Sequence, residues 1–187
     1  MIKKMTAGVL VIALSSSIYA ANVTVGTGFV GLEVGNTTLQ AARYMDIWDG
    51  DTYNPFYEGS GVEFGIKLGS QNEEWRASFI LDYYDNEDED QNYEKGLVTL
   101  DYFVLNSQSY DTNIKPYLGL NIGYLAYEST FIDEGDFVYG GQAGLVVNMD
   151  NIDLDLSYRY SLYYGSNEDT STVDEMGSIM FGINYLF

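Results

Sequence analysis

The chain contains no cysteine and no histidine. Without cysteine there is no disulfide framework and no thiolate chemistry. Without histidine the commonest general base and metal ligand are missing. Bases are scarce: eight Lys and Arg stand against 28 Asp and Glu, a formal net charge of −20. That balance excludes the basic footprint of a nucleic-acid-binding protein. Beyond residue 20 no segment approaches 18 uninterrupted apolar residues, so no transmembrane helix is expected there.

Yet 46% of residues are apolar and 16% aromatic, too rich for disorder. The hydrophobicity is carried by alternation. In residues 178–187, Ile179, Phe181, Ile183, Tyr185 and Phe187 occupy every second place, with Ser178, Gly182 and Asn184 between them. A period of two describes a strand with one apolar and one mixed face.

Residues 1–20 have the three parts of a cleaved secretory signal: Lys3 and Lys4, an apolar run from Thr6 to Leu14, and a small-residue exit ending at Ala20. The apolar run is too short to span a bilayer as a helix. The expected division is a signal over 1–20 and one barrel domain over 21–187.

Eight segments carry the two-residue period. The first, about 23–34, is Gly-rich and reads as changing phase. In the second, Val62, Phe64, Ile66 and Leu68 oppose Glu63, Gly65 and Lys67. In the third, Trp75, Ala77, Phe79, Leu81 and Tyr83 oppose Arg76, Ser78, Ile80 and Asp82. In the fourth, Val98, Leu100, Tyr102 and Val104 oppose Thr99, Asp101 and Phe103. In the fifth, Leu118, Leu120, Ile122, Tyr124 and Ala126 oppose Tyr117, Gly119, Asn121 and Gly123. In the sixth, Tyr139, Gly141, Ala143, Leu145 and Val147 oppose Gln142, Gly144 and Asn148. In the seventh, Ile152, Leu154, Leu156, Tyr158, Tyr160 and Leu162 oppose Asp153, Asp155, Ser157, Arg159 and Ser161. The C-terminal strand is the eighth.

The gaps at 69–74, 106–113 and 149–151 are short, and those at 35–60, 84–95, 127–136 and 163–175 are longer. Short periplasmic turns alternating with longer outer loops predict an all-β, up-and-down antiparallel, eight-stranded transmembrane β-barrel rather than a sandwich.

The alternating strands and the final Phe187 resemble the small eight-stranded outer-membrane barrels, the OmpA transmembrane-domain, OmpX and opacity-protein group. The resemblance implies an integral protein of the bacterial outer membrane, in contact with lipid and lipopolysaccharide. It also implies insertion by machinery that reads the last strand. Nothing follows that strand, so the peptidoglycan-binding domain of OmpA-type proteins is not expected. A monomer is expected.

The inward set is Glu63, Lys67, Arg76, Asp82, Asp101, Asn121, Gln142, Asp153, Asp155 and Arg159. Charges in a nearly dry interior must pair. Lys67 and Arg76 flank one turn and are expected to face each other, bridged by Asp153 or Asp155. Arg159 is expected to reach Asp101. Eight strands leave room only for side chains, so a plug is expected before a polar path. Trp75, Tyr83, Tyr102, Tyr124, Tyr158, Tyr160, Tyr185 and Phe187 are read as interfacial girdles.

The four longer gaps hold 18 acids against Arg43 and Lys95, densest at 85–94. Such loops suit loosely held divalent cations, but the run lacks the spacing of an EF-hand and reads as a solvated face. Gly26, Gly28 and Gly31 match G-x-G-x-x-G, a weak signal on a Gly-rich strand. No catalytic, cofactor or metal residues are assigned, because no base to activate a serine is evident. The reading is a non-enzymatic surface protein serving membrane integrity or adhesion; the alternative is a narrow channel for small solutes.

Overall fold

A computed structural model describes residues 26–42, 45–46, 52–53, 56–86, 91–105, 114–128, 133–164 and 172–187. Eight long strands form a closed antiparallel barrel. They are β1 (Thr27–Ala42), β4 (Phe56–Gln71), β5 (Trp75–Asn86), β6 (Gln91–Phe103), β7 (Ile114–Glu128), β8 (Asp133–Met149), β9 (Ile152–Tyr163) and β10 (Thr172–Leu186). Two short strands, β2 (Met45–Asp46) and β3 (Thr52–Tyr53), pair between β1 and β4. Each long strand pairs with its chain neighbour, and β10 closes on β1 through Val30–Tyr185 and Val34–Phe181. Closure satisfies the backbone of every strand, as a bilayer requires.

The alternation read from the sequence sets the two surfaces. Every apolar set assigned outward from β4 to β10 lies on the outer wall, including Phe64, Leu100, Leu120, Leu156 and Ile183. The first strand differs from expectation. It runs eight residues beyond Val34 and keeps one phase, with Val30, Leu32 and Val34 outward and Phe29, Glu33, Thr37 and Leu39 buried inside. Gly31 and Gly35 fall on the inner face, where glycines leave the apolar alternation unmarked. Residues 23–25 and the 1–20 signal lie outside the described residues.

The longer gaps are likewise shorter than expected. β5 continues to Asn86 and β6 begins at Gln91, with Asn86 paired to Gln91. The 127–136 and 163–175 gaps also lose residues to β7, β8 and β10. Of the short gaps, 106–113 lies outside the described residues. The β8–β9 turn is Asp150-Asn151, with Asp150 at φ 58°, a left-handed position that Asp and Asn tolerate.

Pairing fixes the stagger. From Thr37 the row passes through Ser178, Arg159, Gln142, Gly119, Asp101, Arg76 and Gln71, and returns to β1 at Thr27. That is ten residues below its start, which inclines the strands by roughly 40°. At that tilt the strands are long enough to carry the apolar band, about 25 Å tall, that is typical of membrane-spanning barrels. Trp75, Tyr102, Tyr185 and Phe187 ring its lower edge, and Tyr83, Tyr124, Tyr139 and Tyr160 ring its upper edge. All are exposed.

Candidate functional site: the barrel lumen

The row that defines the stagger is polar on the inside, and the lumen is built around it. Nine charged side chains join in one ladder of strictly alternating sign. It starts at Asp101, which takes Nε of Arg76 at 2.8 Å. Nη1 of Arg76 reaches Oδ2 of Asp155 at 2.9 Å, and Lys67 meets the same oxygen at 3.2 Å. Lys67 then pairs with Glu33 at 2.8 Å, and Glu33 with Arg159 at 2.9 Å. Arg159 reaches Asp82 at 3.0 Å, Asp82 meets Lys95 at 3.3 Å, and Lys95 ends on Glu63 at 2.8 Å. Every member is buried.

The ends of the ladder are capped by neutral groups. Oε2 of Glu63 accepts from the hydroxyls of Thr37, Tyr93 (2.5 Å) and Ser178 (3.3 Å). Oδ1 of Asp101 accepts from Nε2 of Gln142 at 2.5 Å. Asp155 accepts a further bond from the Tyr117 hydroxyl at 2.9 Å. Asp153 stands apart, held by Gln71 at 2.6 Å and Asn148 at 2.7 Å, both neutral amides.

Glycine makes room for these large groups. A Cβ at Gly119 would collide with Asp101, and one at Gly65 with Asp82 and Glu33. An inward glycine beside an inward acid is therefore a packing requirement of a barrel this narrow.

Apolar layers cover the ladder at both ends. Toward the long connections, Leu39, Tyr84, Tyr93, Leu125, Tyr127, Val138, Tyr163 and Met176 pack together inside the wall. Tyr84 and Tyr93 stack at 4.7 Å with an interplanar angle of 3°. Toward the short turns, Phe103, Tyr117 and Val146 form a second cluster, with Arg76 over the Tyr117 ring at 4.4 Å. The lower mouth beyond it holds a recess of about 270 Å³ lined by residues including Gln71, Lys115, Asn148 and Phe187.

With an apolar outer wall and a charged, packed interior, the molecule is a membrane-spanning barrel. Neisserial surface protein A matches it with a TM-score of 0.60 at 17% identity, over 84% of this chain and 97% of that one. The fold is that of the small integral outer-membrane barrels.

OprG from Pseudomonas aeruginosa superposes on this barrel with a TM-score of 0.54 at 12% identity, over 87% of this chain and 97% of that one. AlkL, solved in lipid bilayers, gives 0.50 at 12% identity, over 90% and 94%. These solved barrels are outer-membrane proteins, and the localisation expected from the alternating strands agrees with them. No family model and no curated protein sequence matches the chain.

All ten expected inward residues are buried in the lumen. Asp155, not Asp153, bridges Lys67 and Arg76. The two cations do not face each other in register: Lys67 pairs with Ile80, and Arg76 with Gln71. Arg159 does not reach Asp101 directly; it takes Glu33 and Asp82, and Gln142 lies between it and Asp101. Two ladder members were not in the expected set. Lys95, read as a loop base, continues the inward parity of Thr99 and Leu97 on β6, and Glu33 that of Phe29 and Gly31 on β1. Parity alone identifies Lys95 once β6 is extended, and Glu33, already inside the expected first strand, once that strand is read in one phase. The G-x-G-x-x-G stretch runs into β1, with no helix after it.

Proposed function

We propose that this outer-membrane barrel is a non-enzymatic surface protein with a closed lumen. Its working surface is the set of connections β1–β4, β5–β6, β7–β8 and β9–β10. The observation that carries this reading is the ladder from Asp101 to Glu63 beneath the aromatic layer of Tyr84 and Tyr93. Side chains fill the interior over the depth of the apolar band. A solute would have to separate buried ion pairs, each costing several kcal/mol to break. What remains for recognition is the acidic outer rim.

This reading places the long connections outside the cell, where they meet lipopolysaccharide, and the short turns in the periplasm. It gives the protein a role in membrane integrity or adhesion. The signal over residues 1–20 and recognition of Phe187 by the insertion machinery belong to the same reading. So does the monomeric state.

Planar-bilayer recording tests the closed lumen against the alternative of a narrow channel. Purified, refolded protein should give no reproducible unitary currents. Steady unitary steps that vanish on unfolding would establish the channel. Epitope tags test sidedness: one between Glu89 and Asp90 should stain on intact cells, and one at Ser109 only after permeabilisation.

A further inference from the structure

The recess of about 270 Å³ at the short-turn mouth is smaller than a drug-type pocket and suits a small solute. Two of its lining side chains, Gln71 and Asn148, give their amide N–H groups to Asp153 at 2.6 and 2.7 Å. Asp153 is wholly buried behind them, and among the described residues no base stands within ion-pair distance of it. The six buried acids of the lumen outnumber its four buried bases by two, and Asp153 accounts for one of the two. An amide that donates to a carboxylate is polarised, which makes its own oxygen a stronger acceptor. No donor among the described residues meets Oε1 of Gln71 or Oδ1 of Asn148. With Asp150, exposed in the β8–β9 turn that borders the recess, these oxygens form an acceptor wall suited to a cation.

Lys115 brings the opposite charge to the same recess. Each of the four ladder bases meets a buried acid at 2.8 or 2.9 Å. Lys115 has Glu73 instead, at 3.5 Å, and the Glu73 side chain is 55% exposed. A long pair with a solvated partner contributes little, so an incoming anion can take the place of Glu73 at Nζ at small cost.

We propose that this recess binds a small zwitterion, a primary ammonium joined through a short chain to a phosphate. The ammonium, with three donors, bonds the amide oxygens of Gln71 and Asn148 and the carboxylate of Asp150, and the charge of Asp153 holds it there. The phosphate takes Nζ of Lys115. A cation alone gains the acceptor wall but is opposed by Lys115, and an anion alone is opposed by Asp150 and Asp153. A free solute and the ethanolamine phosphate head group of a lipid in the adjoining leaflet offer the same chemistry. The site uses no member of the ladder, so it fills while the lumen stays closed.

Calorimetric titration of the refolded barrel in nonionic micelles with phosphoethanolamine tests this. The expected result is saturable binding, with ethanolamine and glycerol phosphate each about tenfold weaker. Lys115→Gln and Asp150→Asn should each weaken phosphoethanolamine about tenfold. Both lie outside the ladder and should keep the heat-modifiable gel mobility, and Asn tolerates the left-handed backbone at 150. The same titration in nanodiscs separates the two sources. Weaker binding in phosphatidylethanolamine than in phosphatidylcholine bilayers assigns the site to the lipid head group, and equal binding assigns it to the free solute. Absence of saturable binding in the wild type, equal affinity for either half of the ligand, or full affinity in either variant would each overturn the proposal.

Discussion

Gln142 stands between Arg159 and Asp101, accepting from Nε of the first at 3.2 Å and donating from Nε2 to the second at 2.5 Å. Ladder members distant along the alternating chain are thereby tied across the lumen by one neutral amide. An amide suits this place because it offers an acceptor and a donor at once. Gln142→Glu keeps the acceptor, loses the donor and adds a negative charge beside Asp101. Gln142→Leu leaves a carboxylate oxygen and a guanidinium N–H without this partner, at about 1–3 kcal/mol. Urea unfolding in lipid vesicles should therefore rank wild type above Gln142→Leu and Gln142→Leu above Gln142→Glu. The reverse order of the two variants would show that the amide's role is not polar.

Asp155 and Asp153 differ by two residues on one strand and should differ sharply in energetics. Asp155 holds Lys67 and Arg76, so Asp155→Ala leaves Lys67 with Glu33 alone and Arg76 with Asp101 alone, and should cost about 3–5 kcal/mol. Asp153 binds only Gln71 and Asn148, and Asp153→Ala should cost about 1–3 kcal/mol. Equal losses in the unfolding midpoint would mean that the ladder does not act as a connected unit.

The contrast also shows what a sequence of this kind reveals. Parity placed Asp153 and Asp155 on the same inner face, because a strand's period is fixed by its backbone. It did not say which would meet Lys67, because that depends on a ten-residue stagger set by pairing all round the barrel. Strand ends were hidden for another reason. Above the apolar band, polar outward positions such as Asn36 and Thr38 look like loop, although the backbone ladder of β1 continues through them. Lys95 was read as a loop base on the same ground. The aromatic layer at Tyr84 and Tyr93 fell inside a segment that composition marked only as acidic.

Gly65 and Gly96 are both strand glycines but should respond oppositely to substitution. Gly65→Val would drive a side chain into Asp82 and Glu33, and it should abolish the heat-modifiable folded form. At Gly96 the nearest atom to an added Cβ is Cδ2 of Leu81 at 3.6 Å, ordinary contact. Gly96→Val should fold with near-wild-type yield, since valine also favours strands. Folding of Gly65→Val at wild-type yield would show that Asp82 and Glu33 have slack around them.

The acidic connections should respond to divalent ions while the barrel does not. With Lys95 placed in the lumen, Arg43 is the one base in the four longer sequence gaps, against 18 acids. Like charges at that density repel one another unless counterions gather. The barrel is independent of this, because closure satisfies its backbone whatever the connections do. Protease cleavage at residues 87–90 in outer-membrane vesicles should therefore accelerate in EDTA, with the heat-modifiable barrel retained. Either Ca²⁺ or Mg²⁺ should reverse the effect, as expected of carboxylates without a fixed coordination geometry. Reversal by Ca²⁺ alone, at concentrations on the order of micromolar, would instead reveal a built site. Cleavage unaffected by EDTA at low salt would retire the cation reading and leave the acids as a hydrated face.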